Sequence, residues 1–154
     1  ENWGGKNFVP AVSAGAIWKS TSEVAEGSDD SALDFYLVAT KMITQLPRPV
    51  LLSAGVLNTK EQVTGVFGYN DDSDTTFFAN IDVLPTSFLA LGAEFKQGAE
   101  YSSFKNENYY DLHAAWFVNP NLTLIAAYVN AGDEKSTTKA GLGDGAVLSA
   151  QYAF

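Results

Sequence analysis

The sequence contains no cysteine in its 154 residues. The chain therefore has no disulfide framework, no thiolate metal site and no thiol nucleophile. It has a single histidine, His113, and no stretch approaches the roughly 18 consecutive apolar residues of a transmembrane helix. The lack of such a stretch excludes a helical membrane protein.

Basic residues are also scarce, with 9 Lys and Arg against 18 Asp and Glu, which gives a formal net charge of −9. Nucleic-acid phosphates are bound by clusters of Lys and Arg. We therefore predict that nucleic acid is not a partner.

Alternation is the strongest positive feature, and it is clearest in residues 145–154, which read GAVLSAQYAF. A strand has a side-chain period of 2, so Leu148, Ala150, Tyr152 and Phe154 share one face. Ser149 and Gln151 fall on the other face. Ten residues is also about the length that a tilted strand needs to cross a bilayer.

Seven further segments alternate in the same way, and the connections between them are short and long in turn. Short turns at one end and longer loops at the other are typical of transmembrane barrels. The sequence predicts an all-β, antiparallel up-and-down transmembrane β-barrel of about eight strands, with residues 1–154 as a single domain. The predicted strands are 9–19, 33–43, 49–59, 75–84, 87–97, 108–118, 122–131 and 145–154, and the long connections, predicted as polar loops, are 20–32, 60–74, 98–107 and 132–144.

Two features indicate which face meets lipid. The face opposite the large apolar side chains carries Gly, Ala, Ser and Thr with isolated charges, and aromatic residues lie near strand ends. A soluble sandwich or barrel, with the apolar face inside, remains the alternative. The predicted lipid-facing girdle consists of Trp18, Phe95, Trp116, Tyr128, Tyr152 and Phe154.

The isolated charges on the opposite face are expected to pair with one another, because a lone buried charge is costly. Large side chains are expected to fill the narrow interior of eight strands without an open pore, namely Tyr36, Phe78, Phe88, Tyr109 and Phe117. The predicted polar network of the lumen consists of Asp34, Asp82, Glu94, Lys96, Asp111 and His113.

Two motifs invite a chemical interpretation. His113 follows Asp111 in an Asp-x-His pattern, but Ser53 and Ser149 lie in no nucleophile motif, so a histidine within the polar network is favoured over a catalytic one. Residues 71–74, Asp-Asp-Ser-Asp, lack the ligand spacing of a calcium loop. We predict no catalytic residue, no metal and no cofactor.

The final segment, which ends in Phe154, resembles the closing strand of bacterial outer-membrane β-barrels. The segments DFYLVATK (34–41), YYDLHAAW (109–116) and NLTLIAAYV (121–129) resemble the C-terminal part of a family of uncharacterised proteobacterial outer-membrane proteins. Members of that family have further strands before the matched region. The resemblance implies the bacterial outer membrane, its lipids and lipopolysaccharide as partners, and the barrel-assembly machinery as a partner of the C-terminal strand.

Three functions are consistent with this pattern. The first is a non-enzymatic outer-membrane protein that is structural or binds a protein partner in a membrane complex through its long loops. The second is a passive porin-like channel for small solutes, and the third is a lipid-modifying enzyme built on His113. The closing strand is expected to pair with segment 9–19 in an eight-stranded barrel, or with upstream strands in a wider one.

Overall fold

The computed structural model describes residues 9–20, 30–60, 72–102, 105–135, 139 and 141–154. These residues form eight strands, each close to a predicted segment. None of them forms a helix long and apolar enough to cross a membrane. The strands are β1 (Ala11–Ser20), β2 (Ser31–Ile43), β3 (Val50–Lys60), β4 (Ser73–Thr86), β5 (Leu89–Lys96), β6 (Tyr109–Asn119), β7 (Leu122–Asn130) and β8 (Asp144–Tyr152).

All eight strands belong to one sheet in the order of the sequence, and each pairs antiparallel with the next. The all-β, antiparallel up-and-down prediction is thus confirmed. The three short connections, 44–49, 87–88 and 120–121, lie at one end of the sheet, which we call the turn end. The four longer connections join strand ends at the opposite side, which we call the loop end.

The sheet is open along two edges. Within the described residues β1 and β8 each have one neighbouring strand, so the pairing expected for a closed eight-stranded barrel is not formed. Every residue of β8 is exposed, on both faces. Each edge therefore presents backbone N–H and C=O groups that are not used in a ladder.

The two faces of the sheet differ in exposure. In β2, Leu33, Phe35 and Leu37 are 43%, 54% and 50% exposed, whereas Ala32 and Asp34 are buried. The pairing of the strands extends this difference across the sheet, because Leu37 pairs with Val56, and Val56 pairs with Phe77. We call the face of Leu37 the outer face and the face of Asp34 the inner face. Large apolar residues are thus exposed on the outer face, while buried polar residues lie on the inner face.

Rings on the inner face lie over glycines of the neighbouring strand. Tyr36 is paired with Gly15 and Phe78 with Gly55. A Cβ atom on either glycine would stand 2.5 Å from the partner's ring or hydroxyl. A glycine leaves room for a ring to lie flat against the sheet.

Among the predicted interior residues, Phe117 is 36% exposed, and the most exposed is Phe88. It lies in the turn between β4 and β5 and is 54% exposed, so the expectation that it fills the interior is wrong. Phe88 and Phe117 are neighbours at the turn end, where the carbonyl of Phe88 accepts a hydrogen bond from the backbone N–H of Phe117 at 2.9 Å, so their side chains lie at the margin of the interior.

Candidate functional site

A histidine held between two carboxylates lies at the middle of the inner face. Asp82 on β4, Gly92 on β5 and His113 on β6 form one row, because Gly92 is the register partner of both other residues. The glycine has no side chain to separate them, so His113 Nε2 reaches Asp82 Oδ1 at 2.9 Å. A Cβ on Gly92 would clash with both side chains.

Asp111 completes this cluster from the same strand. Its Oδ1 lies 2.6 Å from His113 Nδ1, so each ring nitrogen has a carboxylate partner. No ring nitrogen is left to activate a hydroxyl. Ser53 instead shares a hydrogen bond of 2.9 Å with Thr40, and Ser149 is paired with Ile125 on the backbone.

Glu94 and Lys96 lie beside this cluster. Glu94 is the register partner of Asp111, and the ammonium of Lys96 lies 5.7 Å from the centre of the Tyr109 ring. This is within the range of a cation–π contact. Together with Val129 these side chains line a small cavity of about 270 Å³.

Asp34 belongs to a different cluster, at the loop end. It is fully buried, forms an ion pair with Lys19 and accepts hydrogen bonds from Thr59 Oγ1 at 3.0 Å and from the backbone N–H of Lys60 at 3.1 Å. The sequence did not point to Lys19 or Thr59 as its partners. The pairing register of β1 with β2 could have indicated Lys19. Ile17 pairs with Asp34, so Lys19, two residues further along β1, is the diagonal neighbour of Asp34.

The connection after β5 packs against this buried cluster. We call residues 97–102 the strap. Tyr101 is 4% exposed, and its hydroxyl donates to the carbonyl of Thr59 at 3.5 Å, two strands away from β5. Ala99 is 5% exposed. The polar loop expected for 98–107 is in this part a packed element of the structure.

Carboxylates at the start of β4 hold the strap. Asp72 Oδ2 accepts bonds from Ser102 N at 2.8 Å and Ser102 Oγ at 2.6 Å, and Asp74 Oδ2 accepts from Glu100 N at 2.8 Å. Residues 71–74 were expected to be a solvated loop, and Asp71 lies outside the described residues. Across the described ranges, no group of three or more His, Asp or Glu is placed to hold a metal ion.

Replacing Asp72 by alanine is expected to release the strap. The Ser102 hydroxyl, followed by the backbone N–H groups of Ser102 and Ser73, holds the pKa of Asp72 below its ordinary value. A lowered pKa means that the tether is complete above the unfolded value of about 3.9 and is lost as pH falls through the folded value. The protection factor of the Ser102 amide, which compares its exchange with the intrinsic rate at the same pH, should fall in Asp72→Ala and in the wild type at low pH.

The control for this prediction is Asp133→Ala at the same end of the sheet, because Asp133 Oδ1 accepts a hydrogen bond from the backbone N–H of Lys135 in its own connection. The protection factor of the Ser102 amide should not change in this variant. Equal protection factors in wild type and Asp72→Ala at neutral pH would contradict the tether.

The six aromatic residues predicted for the girdle all lie exposed. Three are near the loop end, Trp18, Phe95 and Tyr128, and two are near the turn end, Trp116 and Tyr152, while Phe154 follows β8. Trp18 is 71% and Trp116 is 52% exposed. The outer face thus carries large rings at both ends of the strands.

Comparison with known proteins identifies a family for this chain. A family model described as "Protein of unknown function (DUF3034)" matches residues 5–151. No curated protein and no solved structure matches the chain.

Proposed function

The chain belongs to the DUF3034 family, and we propose that it is an integral outer-membrane β-barrel protein without enzymatic activity, which acts as a structural or partner-binding unit through its long loops. The observation that carries the proposal is the distribution of side chains between the two faces. Exposed apolar residues occupy the outer face of every strand, and the charged clusters of Asp34 and His113 occupy the inner face.

This distribution favours lipid over water as the solvent of the outer face. Soluble proteins rarely expose apolar patches larger than a few hundred Å². Here Phe35, Leu112 and Leu148 are 54%, 64% and 86% exposed on three different strands. In a transmembrane barrel the outward band is apolar, with aromatic girdles at both interfaces, and the interior is polar.

The two ends of the sheet support an orientation. Bacterial outer-membrane barrels have short turns on the periplasmic side and longer loops outside the cell. The turn end would then face the periplasm, and the acidic loop end would face lipopolysaccharide and protein partners. The strap and its anchors Asp72 and Asp74 give this end a defined shape, which favours recognition by a partner. The β8 edge would be the part that the barrel-assembly machinery recognises.

The environment of His113 supports a non-enzymatic function. Both of its ring nitrogens are engaged by carboxylates, which argues against His113 as the general base that the lipid-modifying alternative requires.

One observation favours a porin-like channel as the second candidate. The inner face is incompletely filled, because Val147 on β8 is 48% exposed and the sheet has two open edges. Eight strands enclose only enough space for side chains, whereas wider barrels contain water. An inner face that is left accessible fits a wider barrel.

Heat-modifiable migration on a gel tests the proposal. Protein extracted from membranes with detergent should migrate as a compact band before boiling and as an expanded band after boiling. Quantitative recovery from cells without detergent would refute it. Steps of conductance in planar bilayers would favour the channel, and silence of the inserted protein would favour the structural function.

A further inference from the structure

The outer face contains a groove that runs across the strands, along two neighbouring rows of paired residues. It has a volume of about 540 Å³ and crosses β2, β3, β4 and β5. Its floor is a row of three alanines, since Ala39 pairs with Ala54 and Ala54 with Ala79. Leu52 and Ile81, which are also register partners, form one wall. Phe95, the partner of Ala79, closes the far end.

The two ends of the groove differ in chemistry. Lys41 lies near the turn end of β2, which finishes at Ile43, whereas Phe95 lies near the loop end of β5, which finishes at Lys96. Lys41 Nζ donates to the carbonyl of Val9 at 3.4 Å, which places the ammonium at the rim beside Pro10. Glu94 also belongs to the lining, but it is the register partner of Asp111 on the inner face. Lys41 therefore supplies the charge at the rim of the groove, and the alanine floor is apolar.

The charge of the turn end has the same sign. Connections 44–49, 87–88 and 120–121 contain no Asp or Glu, and they contain one basic residue, Arg48. The acidic residues of the connections are at the loop end, where Asp72, Asp133 and Glu134 lie. An anionic group is thus attracted to the end of the groove where Lys41 lies.

We propose that this groove binds a phospholipid with an anionic headgroup. The headgroup phosphate contacts Lys41, and an acyl chain lies over Ala39, Ala54 and Ala79 toward Phe95. This site rests on the proposed membrane function, in which the turn end faces the periplasmic, phospholipid leaflet. One basic residue near an anionic lipid surface raises the affinity for that surface roughly fivefold. The groove should therefore bind an anionic headgroup about fivefold more tightly than a neutral one.

A second groove provides a matched control in the same molecule. It has a volume of about 480 Å³ and crosses β6, β7 and β8 over Ala114, Ala126 and Ala150, between Trp116 and Leu148. Its lining contains no charged side chain. It should bind acyl chains without preference for a headgroup.

The test measures lipid retention by native mass spectrometry on protein in detergent, with phosphatidylglycerol and phosphatidylcholine as the two probes. Wild type should retain phosphatidylglycerol about fivefold more strongly than phosphatidylcholine. Lys41→Gln should lose the preference while retaining both lipids. Ala54→Leu, which fills the floor of the first groove, should lose the preference too, whereas Ala126→Leu in the second groove should keep it.

A preference that persists in both Lys41→Gln and Ala54→Leu overturns the proposal, as does equal retention of the two lipids by wild type. Each variant is first checked for heat-modifiable migration, so that only folded protein is compared. A wild type that fails this check refutes the membrane function, and the lipid site with it. A wild type that passes it without a headgroup preference refutes the lipid site alone.

Discussion

An arginine in place of Ala126 is expected to destabilise the protein in lipid by about 2–4 kcal/mol, whereas an arginine in place of Ala127 is expected to be tolerated. The two alanines are neighbours on β7 and lie at the same depth on opposite faces. Ala126 is exposed on the outer face, where the proposed solvent is hydrocarbon. Ala127 is the register partner of His113, beside which Asp82 and Asp111 offer carboxylates to a guanidinium.

The free energy of unfolding in phospholipid vesicles, from guanidinium titration followed by tryptophan fluorescence, measures this difference. A soluble sheet gives the opposite order. An arginine at exposed Ala126 would then change stability by no more than about 0.5 kcal/mol, and the half-buried position of Ala127 would bear the larger loss. Because both variants replace an alanine by an arginine, the changes in strand propensity and side-chain volume are the same in each and cancel in the comparison.

Replacing Gly55 by alanine is expected to destabilise the sheet by about 1–3 kcal/mol, although only one methyl group is added. The new Cβ would stand 2.5 Å from Phe78 Cζ and 2.6 Å from the carbonyl oxygen of Leu37. The ring could move, but Leu37 O belongs to the β2 backbone, so relief requires a shift of the strand. Thermal unfolding of the detergent-solubilised protein provides the measurement.

Gly145→Ala is the control, because a Cβ there meets nothing within 4 Å. This substitution should be neutral or stabilise by a few tenths of a kcal/mol, since alanine restricts the unfolded chain more than glycine does. Gly15→Ala should lie between the two, because its Cβ meets only the Tyr36 side chain among the nearest atoms. Equal effects at Gly55 and Gly145 would mean that the ring-over-glycine packing contributes little to stability.

The strands were predictable because their signal is local. A period of 2, interrupted by short runs of Pro, Asn and Ser, defines each strand within a few residues, and antiparallel neighbours follow from short turns. The exposure of Trp18, Trp116 and Tyr152 follows from the same alternation. The prediction for Phe88 was wrong because the alternation was extended into the turn at residues 87–88.

The clusters were less predictable because they depend on register and on distant contacts. The alternation assigns Asp82, Asp111 and His113 to one face of the sheet. Their contact also requires Gly92 on β5 to pair with Asp82 on β4 and with His113 on β6, and the pattern of a single strand does not contain this register. The burial of Tyr101 depends on Asp72, which lies about 30 residues earlier and bonds to Ser102. From side-chain composition alone, residues 98–107 are predicted as a polar loop.

The strictly sequential order of the strands has a kinetic consequence. Each pairing joins consecutive strands, so each hairpin closes a short length of chain at a small entropic cost. The hairpins β2–β3, β4–β5 and β6–β7, which have the shortest connections, are expected to form first. The edges of β1 and β8 are the last groups to find partners. An unsatisfied backbone group costs several kcal/mol in hydrocarbon. On the proposed membrane function, the sheet is therefore expected to stay at the membrane surface until both edges are paired, and then to cross the bilayer in a single step.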